Sequence, residues 1–331
     1  MKIQTTLQKM MFSTVRIEVD KPNSVETGTG FIYRYDVGDI IYLFLVTNRH
    51  IIQNAHAGRL QFVLTKPDGT PNYGAIYTHH VTNFEQSWHP HPDPRIDVAI
   101  MPFAELLEGL IAFGIQPFYT SLASNIMPTL DQLEALDAVE EVVFVGYPNG
   151  FYDVSNGTPI IRRGTTASPI HLDHDGLPAF IIDAVFVDGS SGSPVFAYRS
   201  GVYAETVGSY MMGERLYFLG IISGYAVRPE NYLVQLPPNL NIQPPPYVTI
   251  PLNLGLGVVY KASSLVDHIR SFLLQRDVLT LASQISDETL ALPEANIQLH
   301  EQPALEDDEQ ATAPNSTGGQ VADEDAPVAE R

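Results

Sequence analysis

Three polar side chains stand in or beside apolar runs, and their types and order point to a nucleophilic reaction. His50 follows Leu-Val-Thr-Asn-Arg, Asp97 interrupts Ile-Asp-Val-Ala-Ile, and Ser191 lies in a Gly-Ser-Ser-Gly turn. An imidazole can take the proton of a serine hydroxyl, and a carboxylate can orient that imidazole. The order His, Asp, Ser differs from the order in other folds that carry the same three groups. The types and order of these residues therefore predict Ser191 as nucleophile, His50 as general base and Asp97 as its orienting partner.

The glycines around Ser191 support this prediction. Gly189 and Gly192 permit a sharp turn, in which the backbone N–H groups of Gly189 and Ser191 would form an oxyanion hole. The neighbouring hydroxyls of Ser190 and Ser193 are rivals, but Gly-x-Ser-Gly centres on Ser191. The alternative for this segment is a plain Gly-Ser turn between two strands.

Asp97 carries a second argument, because a carboxylate inside an apolar run is costly unless it is hydrogen-bonded. This cost favours a functional Asp97. For His50 the alternative is a strand-end histidine that bonds only a backbone carbonyl.

The segment Trp88–Asp93 offers a metal-binding alternative, since His89, His91 and Asp93 alternate along it and His79 and His80 are the only further candidates. Its prolines force an extended loop. We favour a loop that braces the Asp97 strand and expect neither a metal nor another cofactor.

Short β-branched and aromatic runs, broken by Gly, Pro and Asn, predict two β-rich halves over residues 12–105 and about 140–260. Ile40–Val46 is expected to be buried on both faces. Pro229–Pro251 is expected to form an extended surface loop. Residues 263–275 predict a helix capped by Ser264 and Asp267, and Thr129 with Gln132 predicts a capped short helix. The predicted strands are Thr14–Val19, Ile40–Val46, Glu141–Val145, Ile160–Thr166, Ala179–Phe186, Ser193–Tyr198 and Tyr217–Ser223.

Composition restricts the partners. The 331 residues include no cysteine and carry a net charge of −20, which disfavours nucleic-acid binding. No run is long enough for a transmembrane helix and the first residues lack a signal-peptide pattern, so we expect a cytoplasmic protein without membrane contact. Residues 301–331 hold nine Asp or Glu and one Arg. This acidic tail is expected to be disordered, and a docking segment for a protein activator is the alternative to a plain solvated tail.

Several motifs together resemble the chymotrypsin-like serine peptidases. They are Thr47–His50, Asp97–Ala99 and Gly189–Pro194. The run Asp183–Ser191 and the segment Gly28–Ile32 are similar to bacterial HtrA-like and trypsin-like peptidases, here without a PDZ domain. The resemblance implies an all-β fold with two antiparallel six-stranded barrels and a C-terminal helix. The implied domains are residues 1–125, with His50 and Asp97; 126–277, with Ser191 and the helix; and an extension, 278–331, acidic and disordered from about 301.

The resemblance also implies supporting residues. Ser223 matches a serine that donates to the triad carboxylate, and Val185, Gly224 and Tyr225 match walls of the primary substrate pocket. No carboxylate falls at the pocket base, so a small or medium aliphatic side chain is expected before the cut. The chain is thus interpreted as a serine endopeptidase that hydrolyses polypeptides through an acyl-enzyme. The alternatives are a regulatory or binding module of low activity on the same fold, and an esterase or acyl transferase.

Overall fold

The structure, a computed structural model, describes residues 3–206, 209–235 and 246–276. These residues belong to one compact unit and are organised around two β-sheets. The predicted C-terminal extension over residues 278–331, with its acidic segment, lies outside the described residues.

The first sheet contains eight strands in the order β5-β4-β1-β2-β3-β7-β6, with β8 paired to β2. The strands are β1 (Thr14–Lys21), β2 (Ser24–Val37), β3 (Ile40–Thr47), β4 (Ala57–Thr65), β5 (Pro71–Thr82), β6 (His89–Pro90), β7 (Ala99–Pro102) and β8 (Leu122–Ala123). All pairs are antiparallel except β2–β8. The all-β class is confirmed, but this half differs from the six-stranded antiparallel barrel of the prediction. Among the described residues its strand order is open, with β5 at one edge and the short β6 at the other.

β3 is buried on both faces only in its second half. Ile40 and Ile41 are about half exposed, whereas Phe44–Thr47 are buried. The exposed end belongs to a hairpin in which Val37 pairs with Ile40. The prediction of full burial is therefore wrong for the hairpin end and right for the end that leads to His50.

The second sheet closes into a six-stranded barrel in the order β10-β11-β14-β13-β12-β9. Its strands are β9 (Glu141–Gly146), β10 (Ile160–Thr166), β11 (Ala179–Asp183), β12 (Pro194–Thr206), β13 (Ser209–Leu233) and β14 (Tyr247–Lys261). Closure leaves no open sheet edge at this level of the barrel. β11 ends three residues before the predicted Phe186, because the chain turns there toward Ser191.

The prediction of a surface loop over Pro229–Pro251 is wrong at both ends. β13 and β14 continue past the barrel as a two-stranded hairpin in which Pro229 lies directly opposite Pro251. Neither residue has an N–H to donate, so this pair fits the ladder only at a non-hydrogen-bonded position. Residues 236–245, between the strands, lie outside the described residues.

In the part of the chain that the structure describes, five α-helices connect or flank the strands: α1 (Thr6–Met11), α2 (Arg49–Ile52), α3 (Ala104–Ala112), α4 (Leu130–Glu134) and α5 (Ala262–Gln275). The predicted cap of α4 is confirmed, since Thr129 and Gln132 form a capping box. The predicted helix α5 is confirmed, but its cap is wrong: the Ser264 hydroxyl donates to Lys261 O instead of accepting an N–H. Among the helices that the structure describes, none has the length and apolar character needed to cross a membrane.

One hydrophobic cluster joins both sheets to α5. The first sheet contributes Phe31 and Val46, and the barrel contributes Phe196 and Phe218. From α5, the side chains of Leu265, Ile269, Phe272 and Leu273 pack into the same cluster. Burial of this apolar area stabilises the two halves as one body, and it fixes the strand ends that carry the polar residues considered next.

Candidate active site

His50 stands where β3 ends and the single turn of α2 begins. Between them Asn48 is extended and fully buried, and its side-chain Nδ2 donates to the backbone oxygen of Asp97 at 2.7 Å. This amide ties the His50 segment to the Asp97 segment before either side chain is considered. Sequence reasoning did not assign Asn48 a role, although a buried amide directly after a strand needs a partner.

Asp97 binds His50 through both carboxylate oxygens. Its Oδ2 lies 2.6 Å from His50 Nδ1, and its Oδ1 accepts the backbone N–H of His50 at 2.9 Å. The imidazole Nδ1–H therefore points at the carboxylate, which leaves the lone pair of Nε2 free to take a proton. The His50 side chain is 44% exposed, against 19% for Asp97, so the base opens to solvent while its partner is sheltered.

A third group from the barrel completes the surroundings of the carboxylate. The hydroxyl of Ser223, on β13, donates to Asp97 Oδ2 at 2.5 Å. Burial raises the pKa of Asp97, but the hydrogen bonds and charge of His50 and the bond from Ser223 outweigh burial and lower this pKa below its ordinary value. Asp97 is therefore held as the anion that stabilises a charged imidazolium.

The Ser191 loop has a shape that its two glycines make possible. Gly189 and Gly192 have φ angles of +82° and +84°, in the left-handed region that glycine adopts without strain. At Gly192 a Cβ would also collide with the backbone oxygen of Thr29. The close approach of the two sheets therefore requires glycine directly after Ser191.

Thr29, on β2, connects the first sheet to this loop by several hydrogen bonds. Its N–H donates to Ser191 O at 2.9 Å, and its hydroxyl donates to Gly189 O at 3.0 Å. The same hydroxyl accepts the N–H of Tyr147 at 3.0 Å, and Thr29 O accepts from Thr47 at 2.7 Å. Thr29 is fully buried. Two carbonyls of the loop are thus fixed toward Thr29, which holds the loop in this conformation.

Within the described residues, the N–H groups of Gly189 and Ser191 have no hydrogen-bond acceptor. Unpaired backbone donors beside a nucleophile are what an oxyanion hole requires. Of the three adjacent hydroxyls, Ser190 and Ser193 are 3% and 1% exposed, and only Ser191 reaches solvent. Burial therefore distinguishes Ser191 from its two rivals.

The hydroxyl of Ser191 donates to Ser223 O at 2.9 Å, and no hydrogen bond joins it to His50 within the described part of the chain. Bonds between a nucleophile and its base are often long without substrate and tighten when substrate binds. Ser191 and His50 line the same open cleft of about 420 Å³, together with Val25, Glu26, Asp188 and Gly189.

A family model described as a trypsin-like peptidase domain matches residues 28–204, more than half of the chain. The chain belongs to this family. The matched range contains His50, Asp97 and Ser191, whereas Ser223 and α5 lie beyond it. A comparison with curated proteins found no match.

Several solved structures are similar in fold to this peptidase domain. An HtrA-type protease with a tripeptide is 12% identical with a TM-score of 0.40; the match covers 82% of this chain but only 62% of that protein. The inactive form of a mutant of Rv3671c from Mycobacterium tuberculosis is 15% identical with a TM-score of 0.39, over 79% and 88% of the two chains. The tobacco vein mottling virus protease is 13% identical with a TM-score of 0.39, over 79% and 82%. At this level of similarity none of them bears on the substrate of this chain.

The residues predicted to wall the substrate pocket are not among those that line the cleft of His50 and Ser191. Val185 is 74% exposed, Gly224 pairs with Val258 of β14, and the Tyr225 hydroxyl donates to Asp188 Oδ1 at 2.9 Å. Beneath them Phe186 is buried and its ring lies against Gly257. Their role in substrate binding stays a prediction.

His89 and His91 of the Trp88–Asp93 segment are half-buried, and their rings contact Phe272 and His268 of α5. His91 Nδ1 accepts the N–H of Asp93 at 3.0 Å, and His268 Nε2 of α5 donates to His89 O at 2.8 Å. Within the described ranges, no group of three or more His, Cys, Asp or Glu side chains is arranged to hold a metal ion. The segment connects α5 to the strand end that carries Asp97.

Proposed function

We propose that the protein is a serine endopeptidase in which Ser191 attacks the substrate carbonyl with His50 as the base. The observation that carries the proposal is the His50–Asp97 pair, at 2.6 Å, opening onto the cleft that Ser191 also lines. An oriented imidazole beside an accessible hydroxyl is the minimum needed to activate a serine.

In the proposed reaction the Ser191 Oγ–H proton passes to His50 Nε2 while Oγ bonds to the carbonyl carbon. The developing oxyanion accepts from the N–H groups of Gly189 and Ser191. The imidazolium then donates its proton to the amine nitrogen, and the C–N bond breaks to leave an acyl-enzyme. Water attacks the ester by the same route in reverse, which restores the Ser191 hydroxyl and releases the acid.

For the residue before the cut we propose a small or medium aliphatic side chain. The support is that Phe186 is buried with its ring against Gly257 and that the Tyr225 hydroxyl bonds Asp188, three residues before Ser191. Gly224 borders open space, since a Cβ there would meet no atom within 4 Å. With Phe186 and Tyr225 both bulky, a substrate pocket formed by these residues would accommodate a short side chain better than an aromatic one.

A fluorophosphonate probe tests the nucleophile, because it reacts only with an activated serine. We expect covalent labelling of the intact protein at Ser191, loss of labelling in Ser191→Ala and His50→Ala, and unchanged labelling in Ser200→Ala, which alters an exposed hydroxyl on β12. Peptide and ester substrates then separate endopeptidase from esterase activity. A protein that folds but takes no label would instead match a binding module on the same fold.

A further inference from the structure

The cleft beside Ser191 extends on the His50 side of the candidate site. It is lined by Val25 and Glu26 of β2 and by His50 and Asp188, and not by Ser223, Gly224 or Tyr225. In the proposed reaction His50 gives its proton to the departing amine, so the departing part of the substrate lies on the His50 side. The cleft of about 420 Å³ therefore receives the leaving-group part of the polypeptide.

The side chains of this cleft carry charge of one sign. Besides His50, its charged lining residues are Glu26 and Asp188, and neither lysine nor arginine lines it. Asp188 is exposed, and its carboxylate accepts a hydrogen bond from the neutral hydroxyl of Tyr225. Its negative charge is therefore not offset by an ion pair within the described residues.

Glu26 does have a cationic neighbour. Lys21 Nζ lies 2.7 Å from Glu26 Oε2 and donates to His50 O at 2.8 Å. The lysine side chain is only 15% exposed, whereas the glutamate is 42% exposed. The pair therefore presents its negative end to the cleft. Arg162 donates to the hydroxyl of buried Ser190 and stacks on Phe144, and it does not line the cleft.

We propose that this cleft binds a cationic side chain, lysine or arginine, in the part of the polypeptide that follows the scissile bond. The proposal rests on the proposed function for its orientation. Clefts lined by charge of one sign concentrate ligands of the opposite sign, and the effect weakens as salt screens it. Asp188 has the larger role because it stands next to the oxyanion donors without an ion-pair partner.

The test uses the full-length protein and matched internally quenched peptides that differ only in the two residues after the cut: Lys-Lys, Ala-Ala or Glu-Glu. We expect kcat/KM to be at least about tenfold higher for Lys-Lys than for Glu-Glu at low salt, and the ratio to shrink toward unity near 1 M salt. Asp188→Asn keeps an acceptor for Tyr225 and removes the charge, so it should lower the ratio severalfold. Glu26→Gln should lower it less. Glu108→Gln, an exposed carboxylate of α3 outside the cleft, is the control and should leave the ratio unchanged.

Two further measurements separate this proposal from the proposed function. Hydrolysis of p-nitrophenyl acetate, compared with Ser191→Ala, reports the nucleophile without a peptide leaving group. Binding of the free Lys-Lys and Glu-Glu leaving-group peptides to Ser191→Ala, measured by calorimetry, reports the cleft without turnover. Ester turnover with equal kcat/KM for the three peptides would overturn the cationic preference and leave the nucleophile intact. Equal affinity, or no binding of either peptide, would overturn it even in a protein without turnover.

Discussion

At the scale of single residues, the geometry of the candidate site depends on polar groups that lie one step away from the side chains of His50, Asp97 and Ser191. Asn48 holds the backbone of Asp97, and Thr29 holds two carbonyls of the Ser191 loop. Both are fully buried, so their polar atoms have no water to replace a lost partner. The geometry around Ser191 is therefore set by Thr29 as much as by the glycines.

Thr29→Val tests this dependence because it keeps the shape of the side chain and removes its hydroxyl. The oxygen of Gly189 and the N–H of Tyr147 would each lose a partner, at a cost of about 1–3 kcal/mol per group. We expect fluorophosphonate labelling of the folded protein to slow by at least about tenfold. Thr29→Ser restores the hydroxyl and should label within about threefold of the wild type. Equal loss of melting temperature in both variants with unchanged labelling would assign Thr29 a role in stability alone.

The sequence could identify residues whose proposed role rests on the side-chain type, but not residues that bond distant backbone atoms. The roles proposed for His50, Asp97 and Ser191 rest on their side chains and on short motifs, so residue type and order were enough to predict them. Thr29 and Asn48 bond backbone atoms of segments far away in the chain. Every residue has a backbone carbonyl, so the residue types in the sequence do not show which carbonyl is the partner. Ser264 shows the reverse difficulty: its type fits a cap, but its hydroxyl donates to Lys261 O.

At the scale of elements, α5 supports the segment that leads to Asp97. Its His268 is 4% exposed and donates from Nε2 to His89 O, and the ring of His91 lies 5.2 Å away. The pKa of His268 is lowered to about 4, mainly by burial. The nearby rings of His91 and His89 also lower this pKa, whereas the hydrogen bond to the His89 carbonyl raises it. The helix therefore docks with a neutral imidazole.

This burial predicts a specific pH dependence of stability. The unfolded chain binds a proton on His268 below its ordinary pKa of 6.5, while the folded protein resists protonation down to about pH 4. The stability that comes from burying a neutral His268 is therefore fully present above pH 6.5, and it is lost as the pH falls from 6.5 toward 4. We expect the free energy of unfolding to fall by about 2 kcal/mol more in the wild type than in His268→Gln between pH 7 and pH 5. Urea titrations at both values measure the difference, and parallel losses in the two proteins would contradict it.

The β13–β14 hairpin shows where sequence patterns mislead at this scale. Prolines normally interrupt a ladder, and the density of prolines predicted a loop. Pairing Pro229 with Pro251 puts both missing donors at a position that needs none. Such a register depends on the partner strand and is not visible in either segment alone.

At the scale of the whole molecule, the shared hydrophobic cluster predicts that the two halves unfold together. Ile269 of α5 is fully buried in that cluster, whereas Leu274 on the same helix is 53% exposed. We expect Ile269→Ala to lower the free energy of unfolding by roughly 2–5 kcal/mol and Leu274→Ala to change it by less than about 0.5 kcal/mol.

The single tryptophan makes the cooperativity measurable. Trp88 is buried in the core of the first sheet, so its fluorescence reports that half, while circular dichroism reports both. Denaturant curves from the two signals should coincide in the wild type and in Ile269→Ala. Separate midpoints would mean that the two halves unfold independently. The domain boundary predicted from sequence between residues 125 and 126 would then also be a boundary between folding units.

Because Ser223 bonds Asp97, the candidate site is complete only after both halves of the chain have been synthesised. His50 and Asp97 leave the ribosome with the first sheet, but Ser191 and Ser223 follow only with the barrel, and α5 comes later still. A nascent chain thus holds a base long before it holds an attacking group. Under the proposed function, hydrolytic competence would arise late in translation, and incomplete chains would be unable to cut their neighbours.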